Sequence, residues 1–209
     1  MKTLKYITLS LIFICSFVLF GCMHNADSVP SSSSATTVSD YTMSEVEAAV
    51  FDEMNLARTD PKGYVNTRLK TIDLSKASDS YKEAVEELIE EMSRMNALPD
   101  LAKADGLGKC AREWVNISGP EGYVGHEADI SVRFKKYCSY NAVGENCSYG
   151  YATGIEIVKS LLIDDGVDTR GHRKNILSRA FSHAGVAVGT HKKYKTMCCI
   201  DFASNYKVK

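Results

Sequence analysis

The chain has 209 residues, with 25 basic and 26 acidic side chains. With no cationic excess, it lacks the electrostatic footprint of a nucleic-acid partner. Seven cysteines without any CxxC spacing argue against a structural zinc knuckle.

The N-terminus comes first. Lys2 and Lys5 precede a nearly unbroken apolar run from Leu9 to Phe20, which closes on Leu19-Phe20-Gly21-Cys22. This run is shorter than the roughly 20 apolar residues a membrane span needs. A charged start, a short apolar middle and a small residue before cysteine mark a secretory leader, and the ending resembles a bacterial lipobox. Residues 1–21 are therefore expected to be a lipoprotein signal peptide and Cys22 the lipidated residue. Residues 22–40 are Ser/Thr-rich and nearly free of aromatics. They cannot bury enough apolar surface to offset chain entropy, so a flexible tether is expected. The predicted location is the bacterial cell envelope, extracytoplasmic and lipid-anchored, and Met23 after the cysteine favours an outer membrane or cell surface. Residues 41–209 suit one domain. Without residues 1–21 the count is 23 basic against 26 acidic.

Within that domain, Thr42-Met43-Ser44-Glu45 reads as a capping box, followed by Val46, Val50, Met54 and Ala57 at helical spacing. Asp60 and Pro61 read as the cap and first turn of a second short helix. Ser80-x-x-Glu83 opens a helix whose apolar face is Tyr81, Val85, Leu88 and Met92. Leu107, Cys110, Ala111, Trp114 and Val115 form a further stripe, in which Trp114 reads as core. Glycines and Pro120 break the chain as far as Gly125. Tyr140 to Tyr151 is strand or loop, and Thr153-x-x-Glu156 opens a helix carrying Ile155, Val158, Leu161 and Leu162. Ala184 to Thr190 and Lys195 to Ala203 alternate as a hairpin, with Cys198 and Cys199 on opposite faces. Cys138 and Cys147 flank a short loop and are the pair expected to form a disulfide, as an exported domain permits.

Three residues suggest chemistry: His126, Glu145 and His172. Two imidazoles and a carboxylate can hold a divalent ion such as zinc and leave a position open. Their spacing does not itself support this, because helix-borne ligands recur every three or four residues and no HExxH is present. On spacing alone, each histidine reads as a packing or hydrogen-bonding residue. Asp164-Asp165-Gly166 reads either as a helix end or as a source of one acid for His172. Arg170, Arg173 and Lys174 read as an anion site or as a solvated face. No GxSxG, phosphate loop or dinucleotide fingerprint is present.

Taken in order, "EMNLAR" from Glu53, "CAREWV" from Cys110, Gly125-His126, "GEN" from Gly144, "GHRKNIL" from Gly171 and "GVAVG" from Gly185 resemble the CAP superfamily: the cysteine-rich secretory proteins, antigen 5 and pathogenesis-related proteins. The resemblance spans about residues 43 to 203 and points to the bacterial branch. It implies a three-layer α-β-α sandwich around a largely antiparallel sheet. It also implies that His126, Glu145 and His172 converge on one cavity, joined in many members by a second glutamate. Here Asp164 and Asp165 stand in that region. Arg173-Lys174-Asn175 follow the second histidine where eukaryotic members often carry Tyr/Phe-Thr-Gln. Asn55 and Arg58 match the first-helix pattern and are expected to hold the fold, as are Trp114 and Asn146.

Three functions follow as expectations. With no complete nucleophile-base set and an expected anchor on Cys22, a surface binding module for a lipid, sterol, small apolar ligand or protein ranks first. A structural envelope protein ranks second. A metal-dependent, peptidase-like hydrolase using the same cavity ranks third. No cofactor beyond a divalent metal is implied.

Overall fold

The computed structural model describes residues 9–13 and 44–209; Cys22, the 22–40 tether and the rest of the expected leader lie outside the described residues. In chain order the elements are β1 (Leu9–Phe13), α1 (Glu45–Thr59), α2 (Pro61–Tyr64) running into a π turn (Val65–Leu69), α3 (Asp79–Arg94), β2 (Ala102–Lys103), α4 (Asp105–Glu121), α5 (Ile130–Tyr137), β3 (Cys138–Ser139), β4 (Ala142–Tyr149), α6 (Gly154–Ile163), α7 (Gly171–Ile176), β5 (His183–His191), β6 (Lys195–Ser204) and β7 (Lys207–Val208). No helix among the described residues is long and apolar enough to cross a membrane.

Local chemistry sets the helix ends. The box that starts α1 uses Ser44 and Glu47 rather than Thr42 and Glu45. Ser44 Oγ accepts from Glu47 N at 3.3 Å, and Glu47 Oε2 accepts from Ser44 N at 2.8 Å. Likewise Ser78, not Ser80, caps α3 by accepting from Tyr81 N at 3.2 Å. Thr153 and Glu156 form the box expected on α6, and Asp60 with Pro61 opens α2. Helix α4 runs through Pro120 to Glu121, past the expected break. Its stop is Gly122, left-handed at φ +71°, whose N–H bonds back to Gly119 O at 3.1 Å.

The main sheet has the order β1-β4-β6-β5-β2, antiparallel except for the short β2–β5 pair. Strands β3 and β7 make a second, small antiparallel pair. Strands β5 and β6 form the expected hairpin. Alternation along the strands divides the core in two. Ala184, Val186, Cys198, Ile200 and Phe202 pack with apolar residues of α1, α3 and α6. Ala187, Met197, Cys199 and Ala203 pack with residues of α4 and α5 from the other side. The result is the three-layer α-β-α sandwich.

Two glycines let these layers approach closely. A methyl group on Gly185 would overlap the backbone of Leu107 and Gly108, so β5 lies directly on α4. A methyl group on Gly154 would sit 2.6 Å from Val50 N, where α6 meets α1. Side chains then tie the loops down. Asn55 Nδ2 donates to Leu101 O at 3.1 Å while its Oδ1 accepts from Leu101 N at 2.8 Å. Buried Arg58 donates to the carbonyls of Pro99, Ile176, Ser178 and Phe181.

The expected disulfide does not form. All five cysteines among the described residues are free and buried. Cys138 Sγ donates to Phe134 O at 3.5 Å. Cys147 lies deep inside β4, opposite Cys199 of β6. Nearness along the chain was a poor guide here, because β4 carries Cys147 away from β3.

Candidate functional site

Strand β4 carries the motif Gly144-Glu145-Asn146, and strand geometry sends neighbouring side chains to opposite faces. Glu145 enters the layer of α4 and α5. Asn146 enters the layer of α7, where its Nδ2 donates to His172 O at 3.0 Å and its Oδ1 accepts from Asn175 Nδ2 at 2.8 Å.

On the first side, His126 Nδ1 lies 2.7 Å from Glu145 Oε1. The glycine before the histidine explains the placement. Gly125 has φ +132°, a conformation L side chains rarely adopt. Its N–H donates to Tyr149 Oη at 3.0 Å, and its carbonyl accepts from Trp114 Nε1 at 3.2 Å. Trp114 is thus buried and holds the loop that delivers His126.

Behind Glu145 stands Arg133 of α5, fully buried. It pairs with Glu145 Oε2 and, at 3.0 Å, with Asp201 Oδ2 of β6. Its Nη1 also donates to Cys110 O at 2.7 Å. Two thiols complete the cluster. Cys147 Sγ lies 3.9 Å from both His126 Nδ1 and Glu145 Oε1, and Cys199 Sγ donates to Glu145 Oε2 at 3.4 Å.

Burial opposes every charge in this cluster, and the partners decide which survive. Burial alone would raise the Glu145 carboxyl, but the His126 hydrogen bond and the Arg133 charge bring it down to about 2. Burial alone would lower the His126 imidazole, but hydrogen bonds with Cys147 and Glu145 push it up to about 11. Burial also drives Asp201 well above the ordinary carboxylate range, with the nearby Glu145 adding to the rise. Burial and Glu145 thus favour the neutral form of Asp201, while His126 and Arg133 favour the carboxylate of Glu145.

On the other side of β4, His172 opens α7. Its Nδ1 lies 2.6 Å from Asp164 Oδ1, while Asp164 Oδ2 accepts from the backbone N–H groups of His172 at 2.9 Å and Arg173 at 3.4 Å. Asp164 ends α6 in the left-handed conformation, φ +56°, which turns its short side chain toward α7. His172 Nε2 is buried without a hydrogen-bond partner among the described residues. Asp165, half-buried, takes no part in this pair. Arg173 is neither an anion site nor a solvated residue: it is buried, donating to Leu162 O and Ala84 O and pairing with Glu87 and Glu91. Arg170 pairs with Glu87, and Lys174 is exposed.

His126, Glu145 and His172, expected to share one cavity with Asp164 or Asp165 beside them, instead form two buried pairs, His126–Glu145 and His172–Asp164, on opposite sides of β4. Strand alternation is the physical reason, since Glu145 and Asn146 are adjacent and must face different layers. Among the described residues, the groups whose ligand atoms lie within 4.8 Å of one another are His126, Glu145 and Cys147, and Glu145, Cys199 and Asp201. His172 and Asp164 belong to neither. Reading the sequence missed Arg133, Cys147, Cys199 and Asp201 as members of the site. The one available signal was Met197-Cys199-Asp201 sharing a strand face.

The model of the cysteine-rich secretory protein family, CAP, matches residues 51–202. The chain belongs to the CAP family. YkwD, an uncharacterized protein of Bacillus subtilis, is 31% identical over 147 residues, covering 67% of this chain and 54% of YkwD. This chain spans about half the length of that relative. Among solved structures, an outer surface protein from Borrelia burgdorferi superposes with a TM-score of 0.45 at 19% identity, over 64% of this chain and 96% of that one. An SCP-domain extracellular protein from Bacillus anthracis superposes with a TM-score of 0.43 at 18% identity, over 66% of this chain and 43% of that one. In this CAP domain the GEN motif supplies Glu145 to one layer and Asn146 to the other. The domain also has a cavity of about 920 Å³ away from both histidines, lined by the start of α5, by residues 138–143 and by Lys209.

Proposed function

We propose that this CAP domain is an extracytoplasmic binding module, held at the bacterial envelope by a lipid on Cys22, that takes an apolar ligand carrying an anionic group. The observation that carries this reading is the 920 Å³ cavity, lined by Ile130, Cys138, Tyr140, Ala142 and Val143 together with Lys135 and Lys209, two cations against the single acid Asp129. Its size falls within the range of small-molecule sites, and its lining combines apolar area with a few charges, as such sites do. With β1 lying along β4, Glu145, Asp164 and His172 are enclosed and His126 is 8% exposed; β1 belongs to the leader that cleavage before Cys22 removes.

The test is a fluorescent long-chain fatty acid titrated into the purified protein. Binding is expected in the wild type. Ala142→Trp, which fills the cavity, should abolish it, and Lys135→Glu with Lys209→Glu should weaken it. Equal binding by the wild type and Ala142→Trp overturns the cavity assignment. Anchoring is tested separately by detergent partition of the protein expressed in a bacterium, with Cys22→Ala as the unprocessed control.

A further inference from the structure

We propose that Cys147 and Cys199 are a disulfide site, joined across β4 and β6 when the chain folds in an oxidising compartment. The compartment is the extracytoplasmic one of the reading above, on which this inference rests; disulfides form and persist there. The two cysteines are register partners on neighbouring antiparallel strands, both buried and both free. Their place in the ladder is what suits them to a bond. Gly150 N donates to Thr196 O at 3.0 Å, which makes these two residues a hydrogen-bonded pair. Hydrogen-bonded and non-hydrogen-bonded pairs alternate along an antiparallel ladder. Tyr149–Met197 is then non-hydrogen-bonded, Ser148–Cys198 hydrogen-bonded and Cys147–Cys199 non-hydrogen-bonded. At such a position opposed Cα atoms are about 4.5 Å apart and the side chains are closest. A disulfide accepts Cα separations of about 4.4–6.8 Å. Both thiols also lie in the same layer, because both meet Glu145: Cys147 Sγ is 3.9 Å from Oε1, and Cys199 Sγ donates to Oε2 at 3.4 Å.

The other thiols are placed differently. Cys198 faces the opposite layer of the core, across from Ser148. Cys138 stands opposite Val208 and donates to Phe134 O. Cys110, on α4, lies against Arg133. The oxidant is itself a disulfide, that of an exported thiol oxidoreductase or of oxidised glutathione. One thiolate of the pair attacks a sulfur of that disulfide, forming a mixed disulfide and releasing the oxidant's other sulfur as a thiolate. The second cysteine, deprotonated, attacks the mixed disulfide, closes the Cys147–Cys199 bond and expels the remaining thiolate. The two cysteines lose two electrons and two protons, and the oxidant gains both and leaves as two thiols. Because both sulfurs are buried, exchange takes place before the core closes or when it opens locally. The bond ties the strand that carries Gly144-Glu145-Asn146 to β6. It also withdraws both thiols from Glu145, which keeps its contacts with His126 and Arg133.

The experiment has two arms. In the first, the full-length chain is expressed in a bacterium, free thiols are alkylated in denaturant, and tryptic peptides are mapped by mass spectrometry without reduction. The peptide containing Cys147 is expected to be linked to the one containing Cys199. Cys138 shares a tryptic peptide with Cys147, and Cys198 shares one with Cys199, so fragmentation of the linked wild-type peptides assigns the bond. Cys138→Ser and Cys198→Ser should keep the link, and Cys147→Ser and Cys199→Ser should lose it. In the second arm, reduced and unfolded wild type is refolded in a glutathione redox buffer, where cellular location plays no part. The same bond is expected, and the oxidised protein should melt at a higher temperature than the reduced one, because the cross-link restricts the unfolded chain. Cys147→Ser should melt alike in both buffers. A bond in the buffer but not in the cell upholds the site and overturns the extracytoplasmic reading. Refolded wild type without the bond, or with Cys138 or Cys198 linked in its place, overturns the site.

Discussion

Asp164 holds His172 twice: one carboxylate oxygen lies 2.6 Å from the imidazole Nδ1, and the other accepts the backbone N–H of the same residue at 2.9 Å. A single short acid thus fixes the ring and caps the helix that carries it. Truncation should free both. Asp164→Ala is expected to lower stability by about 1.5–3 kcal/mol, the usual worth of hydrogen bonds to a charged group, as measured by urea denaturation. Asp164→Glu should also be less stable than wild type, because the extra methylene displaces both oxygens from the imidazole and from the backbone N–H groups they now meet. An unchanged midpoint for Asp164→Ala would show that the pair contributes nothing to folding.

Arg133 is the cation between Glu145 and Asp201. Removing one partner of a buried ion pair typically costs about 3–5 kcal/mol, since the remaining charge has lost its compensation. Arg133→Met should show a loss of this order. The double variant Arg133→Met, Glu145→Gln should be less destabilised than the sum of the two single changes. A double-mutant cycle reads this directly, and strict additivity would contradict the coupling.

The His126–Glu145 bond should give the metal-free protein a defined pH window. Glu145 falls from 4.5 to about 2 on folding, so its contribution is present above pH 4.5 and is lost as pH falls toward 2. His126 rises from 6.5 to about 11, so its contribution is present below pH 6.5 and is lost as pH rises toward 11. The acid flank reports the bond of Glu145 to His126 and the charge of Arg133, and the alkaline flank reports the bonds of His126 to Cys147 and to Glu145. The midpoint of thermal unfolding should therefore be highest near pH 4.5–6.5 as far as this bond is concerned. Both flanks should flatten in Glu145→Gln. Identical pH profiles for variant and wild type would contradict the assignment.

Trp114 covers the sheet and donates to Gly125 O. Trp114→Ala is expected to cost about 3–5 kcal/mol, as large-to-small core changes do. Asn55→Ala leaves the Leu101 N–H and carbonyl without their partner and should cost about 1–3 kcal/mol. Differential scanning calorimetry checks both. A wild-type thermal midpoint in Trp114→Ala would mean that the indole does not support the core.

Gly185→Ala tests the contact between β5 and α4. The added methyl meets backbone atoms of Leu107 and Gly108, which cannot rotate away as a side chain would. A loss of about 1–3 kcal/mol is expected from overpacking, with little change at Gly166→Ala beyond its left-handed φ, since nothing lies within 4 Å there. Equal effects at the two positions would remove the close-approach argument.

Much of the architecture was legible in residue order because its causes are local. The stripe Leu107-Cys110-Ala111-Trp114-Val115, the Thr153–Glu156 box and the alternation of Lys195–Ala203 each depend on a few neighbouring residues and one period, 3.6 or 2. The ordered motifs from "EMNLAR" to "GVAVG" likewise carried the family. Exact helix starts were less legible, since Thr42, Ser44, Ser78 and Ser80 are all competent caps and only backbone geometry chose among them. The site depended on tertiary structure almost entirely. No spacing shows that β4 would send Glu145 to Arg133 and Asn146 to His172, that Asp164 rather than Asp165 would reach the imidazole, or that Cys147 would face Cys199 instead of Cys138. Those pairings are set by strand register and by which face each layer covers, and both arise only when distant segments pack.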